Sequence, residues 1–285
     1  MPASQYLGRI ATLATQHGKE SVIAPAFAEI AGLTVQVAAI DTDRFGTFSG
    51  EVKRSQAPLA TAVKKALAGM SAENLRLGLA SEGTIGPHLV SGFMNVDTEI
   101  IVFIDDELDL VITEKVQSSE IVAQTITAGP NDDLTDFLRK ADFPRHGLIV
   151  KSDCPTSPED PTARIAKGIT DLPTLARAVQ ELSANGNRVI IENDFRAHFS
   201  PSRMAVIGQC AKLLAKRVAA SCPGCGTPGW GHVDPIRGLA CSDCGSVVEW
   251  AIQADRSGCQ KCELIKVHPR PIQTVEPQWC NSCNP

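Results

Sequence analysis

Residues 8–40 read GRIATLATQHGKESVIAPAFAEIAGLTVQVAAI. Gly8 to Thr15 is short, apolar and strand-prone, and QHGK after it is a polar turn. Glu20 to Ala31 predicts a helix, with Pro25 where a proline would end or kink a continuous one. Thr34 to Ile40 predicts a second strand. Pro58 then opens a helix, a position where its missing N–H costs nothing. Leu59, Val63, Ala66, Leu67 and Met70 follow at helical spacing, with Lys64 and Lys65 off that stripe. Leu75 to Ala80 is a third strand, and it runs into a Gly/Pro-rich loop, SEGTIGPH. This alternation predicts an α/β fold, a mixed, mainly parallel sheet flanked by helices.

The alternation continues outward. Strands are expected at Glu99–Ile104, Leu108–Glu114, Gly147–Lys151 and Arg188–Glu192, and helices at Asn131–Ala141 and Leu172–Ala184. Ser200-Pro201 is a cap followed by proline, so a last helix should run to about Ala220. The chain thus divides into an α/β domain over 1–220 and a tail over 221–285.

Eight of the ten cysteines fall in that tail, as four C-x-x-C pairs: Cys222/Cys225, Cys241/Cys244, Cys259/Cys262 and Cys280/Cys283. Two thiolates in such a turn reach one ion, and a tetrahedral zinc needs two turns. The loops after Cys225 and Cys262 hold 15 and 17 residues, and the loop after Cys244 holds 14. Two structural zinc ions are expected. The longer loops match the usual spacing and favour sequential pairing, and a cross-brace in which the first and third pairs share an ion is the alternative. All three tryptophans (Trp230, Trp250, Trp279) also lie here, where a small core needs metal and large rings.

A net charge of −5 speaks against a generic nucleic-acid binder. The exception is local: Arg196, Arg203, Lys212, Lys216 and Arg217 fall in a stretch without an acid. No membrane span or export signal is read, which points to the cytoplasm.

Three clusters carry candidate chemistry. The turn Thr15-Gln16-His17-Gly18-Lys19 offers a helix N-terminus and a lysine to a phosphate. Ser81-Glu82, past the third strand, offers a carboxylate that could hold Mg²⁺. Asp194, Arg196 and His198 supply an acid, an anion clamp and a base after a late strand. If the strands before Lys19, Glu82 and Arg196 are parallel in one sheet, the three residues line one cleft.

The order LATQHGKESVIAPAFAEIAGL, PLATAVKKALAGM and RLGLASEGTIG resembles the first half of the inosine/xanthosine triphosphate pyrophosphatases. The turn here is one residue shorter, Gln16 or His17 stands for an asparagine, and the acidic doublet is reduced to Ser81-Glu82. The resemblance implies Thr15 and Lys19 on phosphate, Lys64 as added charge and Glu82 on Mg²⁺. The chain as a whole resembles an uncharacterised bacterial family with the same N-terminal pattern, an Asp-x-Arg-Ala-His segment and C-terminal zinc ribbons. The function expected from these readings is a zinc-binding, Mg²⁺-dependent nucleotide phosphohydrolase or nucleotide-binding enzyme. Glu82, Asp194 and His198 are then catalytic, and Thr15, His17, Lys19, Lys64 and Arg196 bind a nucleotide or phosphorylated small molecule. The rival is a non-enzymatic nucleic-acid or protein adaptor using the ribbon and the basic 196–217 segment. A third reading is RNA or tRNA modification with the ribbon gripping substrate.

Overall fold

The computed structural model describes residues 4–46, 56–87, 92, 94–153, 165–183 and 188–285. His88, which ends the SEGTIGPH stretch, and Cys154 lie outside them. The fold is mixed α/β, with a cysteine-rich β-region at the C-terminal end. One compact unit spans 8–29 and 33–214, and the other spans 1–7, 30–32 and 215–285.

The first sheet of the larger unit has five strands, β1 (Ile10–Ala14), β2 (Thr34–Val37), β3 (Leu77–Pro87), β4 (Asn95–Asp105) and β5 (Leu110–Ser118), in the order β2-β1-β3-β4-β5. β1 is parallel to both neighbours, and β3-β4-β5 is an antiparallel meander. Helices α1 (Glu20–Ala31) and α2 (Pro58–Glu73) form the crossovers that the two parallel pairs require. Pro25 lies inside α1. Of the stripe read from the sequence, Ala66 and Met70 are buried and Val63 partly so, while Leu59 and Leu67 are exposed. The face that packs is turned toward Ala62, and it sets Ala62, Ala66 and Met70 against Ala14, Ala80, Val102 and Ile104.

The second sheet is antiparallel throughout, in the order β6-β9-β7-β8, from β6 (Thr125–Ala128), β7 (Leu148–Ser152), β8 (Ile165–Ile169) and β9 (Val189–Asn193). Its core joins Leu148, Val150 and Ile191 to Leu175 and Val179 of α4 (Leu172–Leu182) and Phe137 of α3 (Thr135–Lys140). The long α5 (Pro201–Ala219) follows β9.

Two departures from the sequence reading matter for function. β3 does not stop at Ala80: SEGTIGP continues it, paired with β4 through Pro87↔Asn95, so Glu82 is a strand residue. The late strand, β9, belongs to the second sheet and is antiparallel to its neighbours. It therefore shares no parallel edge with β1 and β3, and the topological reason for placing Arg196 beside Lys19 is gone.

In the smaller unit, β10 (Gly231–Cys241) and β11 (Val247–Gly258) form a bulged hairpin, flanked by β12 (Ile265–Pro269) on β11 and β13 (Thr274–Val275) on β10. Leu239, Val248, Ala251 and Val275 bury a small core with Cys241 and Cys280. The tryptophans do not supply it, since Trp250 is 54% and Trp279 59% exposed.

Candidate functional site

β1 ends at Ala14, level with Ala80, while β3 runs on beyond it. The early end of β1 leaves a notch beside Ser81 and Glu82, at the C-terminal edge of the parallel strands, where ligands of open α/β sheets collect. Successive strand residues point to opposite faces, so Ser81 and Glu82 present their side chains on the two sides of the sheet. Lys19, at the start of α1, donates to Ser81 Oγ (2.9 Å) on one side. Lys65 of α2 pairs with Glu82 on the other. Arg203, fully buried in α5, pairs with Glu99 of β4 (2.5 Å) and donates to the Phe195 carbonyl (2.6 Å).

The cavity in this notch measures about 30 Å³ and is lined by Thr15, His17, Lys19, Lys65, Glu82 and Arg203, together with Ser81, Thr42 and Asp43. At roughly 10–15 Å³ per water-sized probe, that is room for about two oxygen-sized atoms. Among the described residues Thr15 Oγ1, buried here, has no hydrogen-bond partner. Burial, and then the charge of Arg203, lower Lys19 to about 8. His17 is also lowered by burial, partly opposed by Asp43, whose carboxylate lies 3.3 Å from Nε2.

Asp97 and Glu99 lie two residues apart on the same face of β4. Burial, and then the negative charge of Glu99, raise Asp97 to about 8. Both Asp97 oxygens and Glu99 Oε2 are buried with no hydrogen-bond partner among the described residues. A proton retained on one Asp97 oxygen and donated to Glu99 Oε2 pairs two of these three atoms, and the second Asp97 oxygen keeps no partner among the described residues. The folded protein then holds a proton that the unfolded chain releases at its ordinary value of 3.8, so stability falls as pH rises from there toward about 8. Asp97→Asn should flatten that fall relative to wild type. Thermal midpoints at about pH 5 and about pH 8.5 check it, and unchanged pH dependence in the variant contradicts it.

The structure brings Thr15, His17, Lys19 and Glu82 together at the cavity and leaves the other candidates off its lining. Lys64 is exposed, because the next residue along, turned about 100° around α2, is the one that faces the sheet. Asp194 and Arg196 are occupied with each other: the guanidinium binds the buried carboxylate at 2.5–3.1 Å and lies 4.7 Å from the Phe199 ring. Asp194 also accepts from the Gly168 N–H (3.0 Å), so the pair fixes a loop. His198 stacks on His17 at 5.3 Å, behind the lining. Glu82 meets Lys65, so a lysine supplies the positive charge expected there from Mg²⁺.

Sequence reasoning missed Lys65 and Arg203. Lys65 reads as one of two equivalent lysines, and Arg203 as one of five basic residues in the 196–217 segment. It also missed the chain Ser202–His146–Asp142, with Ser202 Oγ 3.0 Å from Nε2 and Asp142 2.9 Å from Nδ1. His146 is wholly buried and Nε2 accepts from the Ser202 N–H too (3.2 Å), so this imidazole holds the first turn of α5.

The cysteines assemble as a cross-brace. Cys222, Cys225, Cys259 and Cys262 form one tetrad and Cys241, Cys244, Cys280 and Cys283 the other, all sulfurs of each within 4.8 Å. Sequential pairing, favoured from loop lengths, is corrected by the hairpin. Gly231 pairs with Gly258 at one end of it, bringing the first and third C-x-x-C turns together. Cys241 pairs with Val275 near the other end, bringing the second and fourth together. With β10 at 11 residues, the two ends stand about 35 Å apart.

The sulfurs fit zinc. Facing pairs are separated by 3.6–3.8 Å, and a tetrahedron with Zn–S near 2.3 Å requires about 3.8 Å. Gly226 (φ 76°) and Gly245 (φ 71°) close the first two turns by donating to the Cys222 and Cys241 carbonyls. Hydrogen bonding with Thr227 and Ser246 lowers Cys225 and Cys244 to about 6, toward the thiolate a metal needs, while the facing sulfurs of each tetrad push Cys262 and Cys283 up to about 12. His232 and His268 belong to neither tetrad.

Among the described residues no helix is long and apolar enough to cross a membrane. No curated protein and no solved structure matches the chain, so the likeness to the triphosphate pyrophosphatases stays one of motif order. A family match covers residues 65–285, from Lys65 at the cavity through Arg203 and both tetrads, and the chain belongs to that family, described as Domain of unknown function (DUF6671).

Proposed function

We propose that the larger unit binds the terminal phosphate group of a nucleotide or other phosphorylated small molecule and hydrolyses its ester or anhydride bond. The observation that carries this is Lys19. Lys65 and Arg203 have carboxylate partners in Glu82 and Glu99. Lys19 is 8% exposed and its described hydrogen bond goes to a neutral serine, so its charge is available to an anion. A unit charge at about 4 Å gains roughly 4 kcal/mol at an effective dielectric of 20. The unpartnered Thr15 hydroxyl can donate to the same group, and the cavity volume admits phosphate oxygens while leaving base or sugar outside.

The adaptor reading is weaker, because its basic segment is not a free face. Arg203 is buried, Arg196 is tied to Asp194, and Lys212 and Lys216 remain exposed. What favours it is a groove on the ribbon lined by Leu239, Trp250, Ile272 and Trp279. A screen of nucleotides and sugar phosphates separates the two. Phosphate release that drops about a hundredfold in Lys19→Met supports hydrolysis. Release by neither protein from any compound, with no binding, leaves the adaptor.

A further inference from the structure

Three hydroxyls line the cavity, those of Thr15, Thr42 and Ser81, and only one of them sits on a base. Thr42 Oγ1 donates to Gln16 Oε1 (3.4 Å). Thr15 Oγ1 has no hydrogen-bond partner among the described residues, whereas Ser81 Oγ lies 2.9 Å from Lys19 Nζ. Ser81 is 2% and Lys19 8% exposed, yet both face the cavity. We propose that Ser81 is the nucleophile of this site and Lys19 its general base, so that hydrolysis passes through a phosphoserine. The proposal rests on the phosphate reading above.

Several features converge on it. Serine is a weak nucleophile until a base within hydrogen-bond reach takes its proton, and a buried lysine is such a base. Burial brings Lys19 near neutrality, where an amine can both take and return a proton. Ser81 is carried by a strand locked on its β4 side (Ser81↔Ile101), so its Oγ is placed by rigid backbone. Gly83, two residues on, leaves room for the ion pair behind it: a Cβ there would lie 2.3 Å from Glu99 Oε1 and 2.6 Å from Arg203 Nη2. The paired guanidinium is thereby kept at the cavity wall, where charge gathers on a phosphoryl group in transfer.

The chemistry balances with water as the only co-reactant. Lys19, as the free amine, takes the Ser81 hydroxyl proton while Oγ bonds to phosphorus and the bond from phosphorus to the leaving oxygen breaks. The leaving oxygen takes the proton from the Lys19 ammonium. Water then attacks the phosphoserine, Lys19 takes its proton, the Oγ–P bond breaks, and that proton returns to Oγ. The products are the alcohol or shorter phosphate and inorganic phosphate.

Inorganic phosphate is a sufficient probe, because reversible formation of phosphoserine exchanges its oxygens with water. The full-length wild type, incubated with ¹⁸O-labelled phosphate, should lose label to water. Acid quenching during incubation with p-nitrophenyl phosphate should leave one phosphoryl group on the peptide containing Ser81. Ser81→Ala should retain phosphate binding by equilibrium dialysis and lose exchange by about a hundredfold or more. Lys19→Arg keeps the charge but cannot give up its proton, so it too should bind phosphate and lose exchange. Exchange at the wild-type rate in either variant overturns the assignment, as does a wild type that binds phosphate with neither exchange nor adduct. A wild type that binds no phosphate overturns the phosphate reading and this proposal with it.

Discussion

The double variant Cys225→Ser/Cys259→Ser should retain one zinc per chain, and Cys225→Ser/Cys244→Ser should retain none. Cys225 and Cys259 belong to one tetrad, so the second substitution removes a ligand from a site already lost. Cys225 and Cys244 belong to different tetrads, so the pair destroys both. Sequential pairing gives the reverse result, which makes metal content by elemental analysis decisive. The effect on folding should be large, because structural zinc contributes apparent binding free energies of about 10–16 kcal/mol that are also folding free energy. The core of this region, Leu239, Val248, Ala251 and Val275, is too small to replace that. The loss should also be local to one end of the hairpin in each single variant. Chemical shifts around Leu264 should move in Cys225→Ser while those around Val275 hold, and a uniform collapse of both ends would contradict independent sites.

Replacing Arg203 by Met should cost about 3–5 kcal/mol, the range for breaking a buried ion pair from one side. The cost comes from Glu99, wholly buried and left with its charge uncompensated beside Asp97. Arg203→Met/Glu99→Leu should recover much of the loss, since desolvation of two charges disappears with the attraction between them. Denaturant unfolding of the four proteins in the cycle measures the coupling. Additive losses would mean that the pair contributes no more than its packing.

The elements with strong local signals were legible in the sequence. The α1 boundaries coincide with Glu20–Ala31, and Pro58 begins α2. The end of β3 was not legible, because SEGTIGP has the composition of a loop; it stays extended through continuous pairing with β4, a long-range effect. β6 and β8, at four and five residues, are too short to show a period. At the site, Thr15, His17, Lys19 and Glu82 could be named from their position after strands. Choosing Lys65 over Lys64 needed the helix phase against the sheet, and Arg203 needed a partner 104 residues away. The eight cysteines were legible as candidate metal ligands, but loop lengths alone could not say which turns meet. The hairpin register decides that.

The central claim is that the cavity at the end of β1 is a phosphate site built around Lys19. Calorimetric titration of the full-length protein with inorganic phosphate tests it most directly. The account predicts one site per chain, weakened about a hundredfold in Lys19→Met and unchanged in Lys64→Met, whose side chain is exposed. Equal affinity in wild type and Lys19→Met, or no binding by a folded wild type, would contradict it.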